Sequence, residues 1–234
     1  MNLSRLHRER GSIVSKIGNP KSATKRMRPS TPLTRERIVR TAIGIVDRDG
    51  LKALSMRKLG AELGVDPMAV YYHVPNKDAL LDAIVEAVMS ESDYSGDDPH
   101  ASPEDRIMVA ANAYLRAMLA HANAMPIMLS RGPNTPAAAR PVELMMGILR
   151  EAGLSPTQAL AGMNAIASAV RGAAAMVGAS GTEPPSPEEL EALASLFPAD
   201  EFPHLIEAAM CPQDFDRDFE FGVRALAKGL LLSR

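Results

Sequence analysis

Apolar residues recur every three or four positions through most of the chain after residue 34, a spacing that predicts amphipathic helices. The hydroxyl of Thr34 can cap the first helix, and Asp49-Gly50 can end it. No segment has a convincing strand pattern, so we predict an all-α fold. The predicted inward face of the first helix consists of Ile38, Val39, Ala42, Ile45 and Val46.

Three further short helices are predicted directly after the first. Ser55 can cap one that Gly64 ends, and Asp66 can cap the next, with Pro67 at its first position, where a missing N–H costs nothing. Asn76 can cap the third of these helices. Its predicted inward side carries Leu80, Leu81, Ile84, Val85 and Val88.

A loop rich in Ser, Gly, Asp and Pro at 92–103 marks a boundary before a longer helical part. Three later helices are predicted from one signature, a hydroxyl at the cap, then Pro, then an acid or amide three residues after the cap. The signature occurs at Ser102-Pro103, Ser155-Pro156 and Ser186-Pro187. A final helix is predicted from about Asp214, with an apolar series at Phe215, Phe219, Val223, Leu226 and Leu230.

Charge is distributed unevenly along the chain. Residues 1–33 hold eight Lys or Arg and one acid, residues 34–90 are neutral overall, and residues 91–234 have a net charge of −9. The first part lacks sustained periodicity and contains three prolines, so we predict a flexible basic arm suited to a polyanion. Alternatively, translation starts at Met27 and the protein lacks much of this arm.

Composition favours a globular protein of the cytoplasm. Hydrophobic residues make up 46% of the chain, and the single Cys211 cannot form an internal disulfide, which fits a reducing compartment. No signal-peptide pattern follows the basic N-terminus. The most membrane-like stretch, 159–179, contains Asn164 and Arg171 and is rich in Ala and Gly. We therefore expect a buried interface helix there, and no membrane partner.

The segment 55–74, SMRKLGAELGVDPMAVYYHV, has the pattern of a helix-turn-helix, two short helices joined by a tight glycine-containing turn. In such a unit the second helix lies in the major groove of double-stranded DNA. Leu59, Leu63, Val65 and Val70 can pack the two helices together. That packing leaves five side chains facing outward: Met68, Ala69, Tyr71, Tyr72 and His73.

The segment from Leu59 to Ala83, LGAELGVDPMAVYYHVPNKDALLDA, resembles the DNA-binding domain of the tetracycline-repressor family. The likeness continues more faintly through SRGPN, REAGLSPTQAL and FEFGVRAL. It implies a homodimeric transcription repressor that binds a pseudo-palindromic operator and is released by a small-molecule effector. The implied domains are 34–90 for DNA binding and 98–234 for effector binding and dimerisation.

The resemblance also implies roles in DNA binding. Arg57 is the candidate for a bidentate guanine contact, and Tyr71, His73 and Lys77 for phosphate contacts. Tyr72 would offer an aromatic face to a thymine methyl group or a sugar. The complete predicted set is Thr34, Ser55, Met56, Arg57, Pro67, Met68, Ala69, Tyr71, Tyr72, His73 and Lys77.

The chain departs from the tetracycline-responsive members of the family at both implied sites. Pro67 and Met68 occupy recognition-helix positions where those members have hydrogen-bonding and Pro side chains. Met128 stands where they have the His that ligates the drug's magnesium, and Ala110 and Leu144 replace an Asn and a Gln. We therefore expect a different operator and a largely apolar effector bound without a metal.

The predicted effector pocket is rich in Met, which suits an adaptable apolar cavity, although each residue taken singly also fits an ordinary core. Its predicted residues are Tyr114, Met118, His121, Met128, Leu144 and Met145.

Other chemistry finds little support in the sequence. The histidines are scattered, and the calcium-loop-like run from Asp214 has Phe219 and Ala225 where Gly and Glu are needed. No metal, cofactor or enzymatic activity is expected. The alternative to a ligand-responsive repressor is an architectural DNA-binding protein without an effector. The large, apolar C-terminal half favours the repressor.

Overall fold

The computed structural model describes residues 32–180, 186–198, 200–209, 211 and 214–234. These residues form α helices and two short 3-10 turns without any strand, which confirms the all-α prediction for the described part of the chain. The predicted basic arm lies outside the described residues except for its last two positions.

Four helices form the N-terminal unit: α1 (Arg35–Asp49), α2 (Met56–Leu63), α3 (Pro67–His73) and α4 (Lys77–Ser90). Each begins at its predicted cap, where a side-chain oxygen accepts a backbone N–H two or three residues further on. These oxygen-to-nitrogen distances are 3.2 Å for Thr34, 3.2 Å for Ser55, 2.8 Å for Asp66 and 2.8 Å for Asn76.

The C-terminal unit contains the remaining described helices. They are α5 (Pro103–Ala120), α6 (Met125–Ser130), α7 (Pro136–Glu151), α8 (Pro156–Ser180), α9 (Pro187–Leu196), α10 (Pro203–Ala209) and α11 (Phe215–Leu232).

The predicted starts of α5, α8, α9 and α11 are confirmed by hydrogen bonds from backbone N–H groups to Ser102, Ser155, Ser186 and Asp214. The sequence analysis did not identify α6, α7 or α10. Thr135-Pro136 carries the same signal, and the Thr135 hydroxyl accepts the N–H of Ala138 at 3.2 Å.

One apolar core runs through both units. Helix α4 packs against α5, α6 and α7, and α8 packs against α5, α7 and α11. The predicted inward face of α1 is buried. In the apolar series of α11, Leu226 is 36% exposed, because Ala227 takes the inner position next to Val223 and Phe219.

Within the described residues, the segment Pro156–Val177 of α8 is long and apolar enough to cross a membrane by length and composition. Core helices of soluble proteins can have the same length and composition. Helix α8 packs along one side against three other helices. Its outward side carries small residues, consistent with a protein interface.

Candidate DNA interface and ligand cavity

The turn between α2 and α3 depends on two glycines. Gly64 ends α2 with a φ of +71°, a left-handed conformation that glycine adopts without strain. At Gly60 a Cβ atom would lie 3.0 Å from the carbonyl oxygen of Val65 and 3.2 Å from the nitrogen of Pro67. Helix α2 therefore touches the backbone that starts α3, and this close contact sets the angle between the two helices.

Helix α3 presents an exposed surface of large side chains. Val70 is fully buried, whereas Met68 is 72% exposed and Tyr72 is 88% exposed. Tyr71 is also exposed, and the partly exposed His73 ring packs edge-on to the Tyr72 ring. Exposed apolar side chains on a short helix held against α2 are suited to contacts in the major groove.

Four other predicted DNA-binding residues border this surface. Arg57 is exposed near the start of α2, close to the exposed cap residue Ser55, and it forms no ion pair within the described residues. The positive charge of Arg57 is therefore available for DNA. Pro67 and Ala69, on α3, are partly exposed.

Three predicted DNA-binding residues have structural contacts. Met56 is only 8% exposed and packs in the core, so its assignment to the DNA surface is corrected. The Lys77 ammonium group donates to the Leu54 carbonyl at 3.0 Å and so holds the segment before α2. Thr34 caps α1 and is exposed.

A group of ion pairs fixes α2 against α1. The Lys58 ammonium lies 2.7 Å from the Asp49 carboxylate, and Arg48 pairs with both Asp49 and Glu62. Hydrogen bonds from Arg48, and then from Lys58, lower the pKa of Asp49 to about 2. These charges are engaged within the protein, which distinguishes them from Arg57.

The close contact at Gly60 gives a test of the helix-turn-helix. Gly60→Ala is expected to lower the free energy of unfolding by about 1–2 kcal/mol, because overpacking outweighs alanine's helix propensity. Operator affinity should fall as well, because α3 must shift. Gly44→Ala on α1, with nothing within 4 Å, should instead raise stability by up to about 1 kcal/mol. Equal stability changes in the two variants, measured by chemical denaturation, would contradict this account.

A cavity of about 80 Å³ lies among α4, α5, α6, α7 and α8. This volume is below the roughly 300–1,000 Å³ that is usual for small-molecule sites in proteins, so it fits a small ligand or part of a larger one. Three predicted effector residues line it, namely Tyr114, Met128 and Met145. Residues in its wall that the pocket prediction did not include are Val85, Tyr94, Arg131, Met163, Val170 and Arg171.

The other three predicted effector residues do not line this cavity. Met118 is 1% exposed and belongs to the core, one turn beyond Tyr114 on α5. Leu144 precedes Met145 on α7 and points about 100° away around the helix axis. His121 bonds instead to carboxylates of the N-terminal unit. These assignments are corrected because sequence position alone does not reveal which helix faces border a cavity.

His121 bridges the two units. Its Nδ1 lies 2.8 Å from Oδ2 of Asp47 on α1, and its Nε2 lies 2.8 Å from Oε2 of Glu91 after α4. The Asn123 amide also donates to the Asp47 carbonyl at 2.8 Å. The hydrogen bond to Asp47, helped by that to Glu91, raises the pKa of His121 despite its partial burial.

This bridge predicts a pH-dependent stability. A pKa raised in the folded state means that the proton stabilises folding below the unfolded value of about 6.5, and that this contribution is lost as pH rises through the folded value. The free energy of unfolding should therefore fall from pH 6 towards pH 8.5. His121→Gln should remove this dependence, whereas His100→Gln at an exposed loop position should keep it. Parallel pH profiles for wild type and His121→Gln would refute the assignment.

The cavity wall contains few polar groups. Nε of Arg171 donates to the Tyr114 hydroxyl at 2.9 Å, and burial raises the pKa of Tyr94. Arg131 donates to the carboxylates of Asp78 and Asp82 at the start of α4, and to the Asp78 carbonyl at 3.3 Å. Through Arg131, the cavity is connected to the helix that follows α3.

In the part of the chain that the structure describes, no group of three or more His, Cys, Asp or Glu side chains is arranged to hold a metal ion. Met128 lies in the cavity wall, at the position that the resemblance aligns with a magnesium ligand. The arrangement can enclose an apolar molecule.

Two family models match the chain. "Bacterial regulatory proteins, tetR family" matches residues 38–84, and "Tetracyclin repressor-like, C-terminal domain" matches residues 96–233.

Curated relatives and solved structures agree with these models. The chain is 31% identical to the HTH-type transcriptional repressor DrrR1 of Streptomyces coeruleorubidus over 62% of its own length and 54% of that protein. It is 32% identical to the class C tetracycline repressor of Escherichia coli, over 57% of its own length and 61% of the repressor. ActR of Streptomyces coelicolor is similar in structure, with a TM-score of 0.74, 32% identity and coverage of 86% of this chain and 96% of ActR.

Proposed function

The chain belongs to the tetracycline-repressor family, and we propose that it is a ligand-responsive repressor, released from its operator by a small, largely apolar molecule. The observation that carries the proposal is the position of Arg131. This side chain lines the cavity and also pairs with Asp78 and Asp82 on α4. A molecule in the cavity can therefore act on the segment that holds the recognition helix α3.

The similar proteins support a small-molecule effector. ActR has been solved in complex with actinorhodin and with (S)-DNPA, and the chain is 32% identical to it in both complexes. DrrR1 is a repressor by name. A cavity of about 80 Å³ bordered by α4 gives this chain a place for a small effector of its own.

Release of DNA requires two conformational states that the effector distinguishes. Helix α4 is the element that connects the cavity to α3, because Val85 and Met89 line the cavity while Asn76 caps its other end next to α3. An effector that displaces Arg131 from Asp78 and Asp82 would change the position of α4. We propose that this movement changes the spacing of the two recognition helices in a dimer.

The experiment that tests the function has two steps. Selection from random DNA should yield a pseudo-palindrome with half-sites one helical turn apart, about 34–36 Å. Fluorescence anisotropy of that operator should then be followed while a panel of small apolar compounds is added, with and without a magnesium chelator. Release should occur in both conditions. A footprint without internal symmetry, or release only with magnesium, would overturn the proposal.

Arg57 and Lys77 should affect DNA binding differently. Arg57→Ala is expected to cost about 1–3 kcal/mol on the operator and to relax specificity at one symmetric base pair. Lys77→Ala should weaken operator and random DNA alike and lower the salt slope by about one per subunit. Arg140→Ala, an exposed change on α7, serves as the control. Equal losses on random DNA for Arg57→Ala would count against base readout.

We propose a homodimer formed by the outer faces of α8 and α11. On α8 small or apolar exposed residues recur at helical spacing, and on α11 Phe221 is 77% exposed beside Gly222. A Cβ added at Gly172, Gly222 or Gly229 would meet no atom of another described part of the chain within 4 Å. Pairing with a second copy would cover these faces as a four-helix interface burying on the order of 2,000 Å².

An architectural DNA-binding protein without an effector remains the alternative, and the basic segment 1–33 would be its main DNA-binding element. Nothing in such a protein requires the cavity or its connection to α4, so we favour the regulator. The proposed protein acts in the cytoplasm and has no catalytic role. Both proposals follow from the similar proteins, which are regulators by name.

A further inference from the structure

Two arginines contribute positive charge to an otherwise apolar cavity. Among the described lining residues, Arg131 and Arg171 are cationic, and none is an Asp or Glu. Arg131 is neutralised by the two carboxylates on α4. Arg171 forms no ion pair with any described residue, so its charge is uncompensated in the cavity wall.

The guanidinium of Arg171 is held in place by a neutral partner. Its Nε donates to the Tyr114 hydroxyl at 2.9 Å, and its central carbon lies 5.9 Å from the centre of the Tyr114 ring. Both contacts orient the group without neutralising it. The two terminal nitrogens make no hydrogen bond to described residues, which leaves them free to donate side by side to an acid group.

Arg171 is partly exposed, and a guanidinium in a mainly apolar wall gains most from an anionic partner, because such a hydrogen bond is charge-assisted. We propose, building on the proposed function, that the effector is an apolar or aromatic acid with one anionic group bound by Arg171. The rest of the molecule contacts the Met and aliphatic side chains of the cavity. A neutral molecule of the same shape leaves the guanidinium unpaired and binds more weakly.

Two probes that differ only in charge test the proposal without DNA. The fluorescence of N-phenyl-1-naphthylamine in the purified full-length protein reports occupancy, and 1-naphthaleneacetic acid and 1-naphthaleneacetamide compete with it. The acid is expected to bind about tenfold or more tightly than the amide, the gain of a charge-assisted hydrogen bond. Where the reporter does not bind, titration calorimetry makes the same comparison directly.

Arg171→Met keeps an unbranched apolar side chain in the wall and should abolish the preference for the acid. The affinity for the amide should stay within about twofold. Arg140→Met removes a cation on the exposed side of α7 and should leave the preference unchanged. This control separates a direct contact from the general field of the protein.

Several results would overturn the proposal. They are equal binding of acid and amide to the wild type, a preference that survives in Arg171→Met, an equal loss in Arg140→Met, or binding of neither probe. Operator binding and release are measured separately. Release by neutral ligands only would refute the proposal of an acidic effector while leaving the repressor function intact. A preference for the acid without operator binding would refute the repressor function instead.

Discussion

A single acidic side chain on the outer face of α11 is expected to convert the dimer into a monomer and to abolish tight operator binding. Ala225 is exposed in the single chain and lies one turn from Phe221 and Gly222. In the monomer, Ala225→Glu places the carboxylate in water at little cost. In the proposed dimer the same carboxylate would be buried without a partner, at a cost of about 3 kcal/mol or more.

Loss of the dimer also removes the second half-site contact. Two linked recognition helices bind more tightly than one by about 10²–10⁴-fold, so operator affinity should fall by a factor in this range. Sedimentation velocity at micromolar concentration and operator anisotropy measure the two effects. Circular dichroism should show unchanged helix content for the variant.

Ala192→Glu is the matched control for this prediction. Ala192 is an exposed alanine on α9, outside the proposed interface, so the same substitution there should preserve both the dimer and operator binding. If Ala225→Glu stays dimeric, α11 does not form the interface. A wild-type protein that is itself a stable monomer at micromolar concentration would refute the dimer altogether.

Replacing Arg131 with methionine is expected to abolish the response to the effector. Arg131 is the side chain that both lines the cavity and donates to Asp78 and Asp82. Without it, a bound molecule has no ion pair through which to act on the start of α4. A wild-type release of about 5–150-fold, which corresponds to a coupling of 1–3 kcal/mol, should fall to nearly none.

Thermodynamic linkage allows the same coupling to be measured from ligand binding as well as from operator release. In the wild type a compound that releases the operator must bind more weakly to the operator complex than to the free protein, by the same factor. In Arg131→Met the two affinities should be equal, while the compound still binds the free protein. Asp82→Asn should weaken the response from the other side of the ion pair.

Arg140→Met is again a useful control, because it removes an exposed cation from α7 without touching the cavity or α4. It should keep the full response. A normal response in Arg131→Met would show that coupling passes through the apolar contacts of α4, such as Val85, rather than through the ion pair.

The sequence alone was sufficient to predict the all-α fold and the helix-turn-helix. Thr34, Ser55, Asp66 and Asn76 cap their helices as expected because a cap is a contact between residues two or three positions apart. The buried face of α1 could be predicted for a similar reason, since one helical period determines which residues share a side. The family follows from the same local segment around α3.

The lining of the cavity could be predicted only in part. Tyr114, Met128 and Met145 line it, whereas Met118 is core and His121 bridges the two units. Five helices from distant parts of the chain form this wall. Because α5 and α7 carry apolar residues over broad faces, periodicity cannot tell which of them meets the core and which meets the cavity.

Tertiary structure alone revealed the residues that make the cavity a candidate regulatory site. Arg131 lies 49 residues from its partner Asp82, and Arg171 lies 57 residues from Tyr114. Whether a charged side chain has an ionic partner depends on groups that are distant in sequence, and only folding brings these groups together. Local pattern therefore determined the helices and the DNA-binding motif, and long-range packing decided what the cavity binds and how it reaches α4.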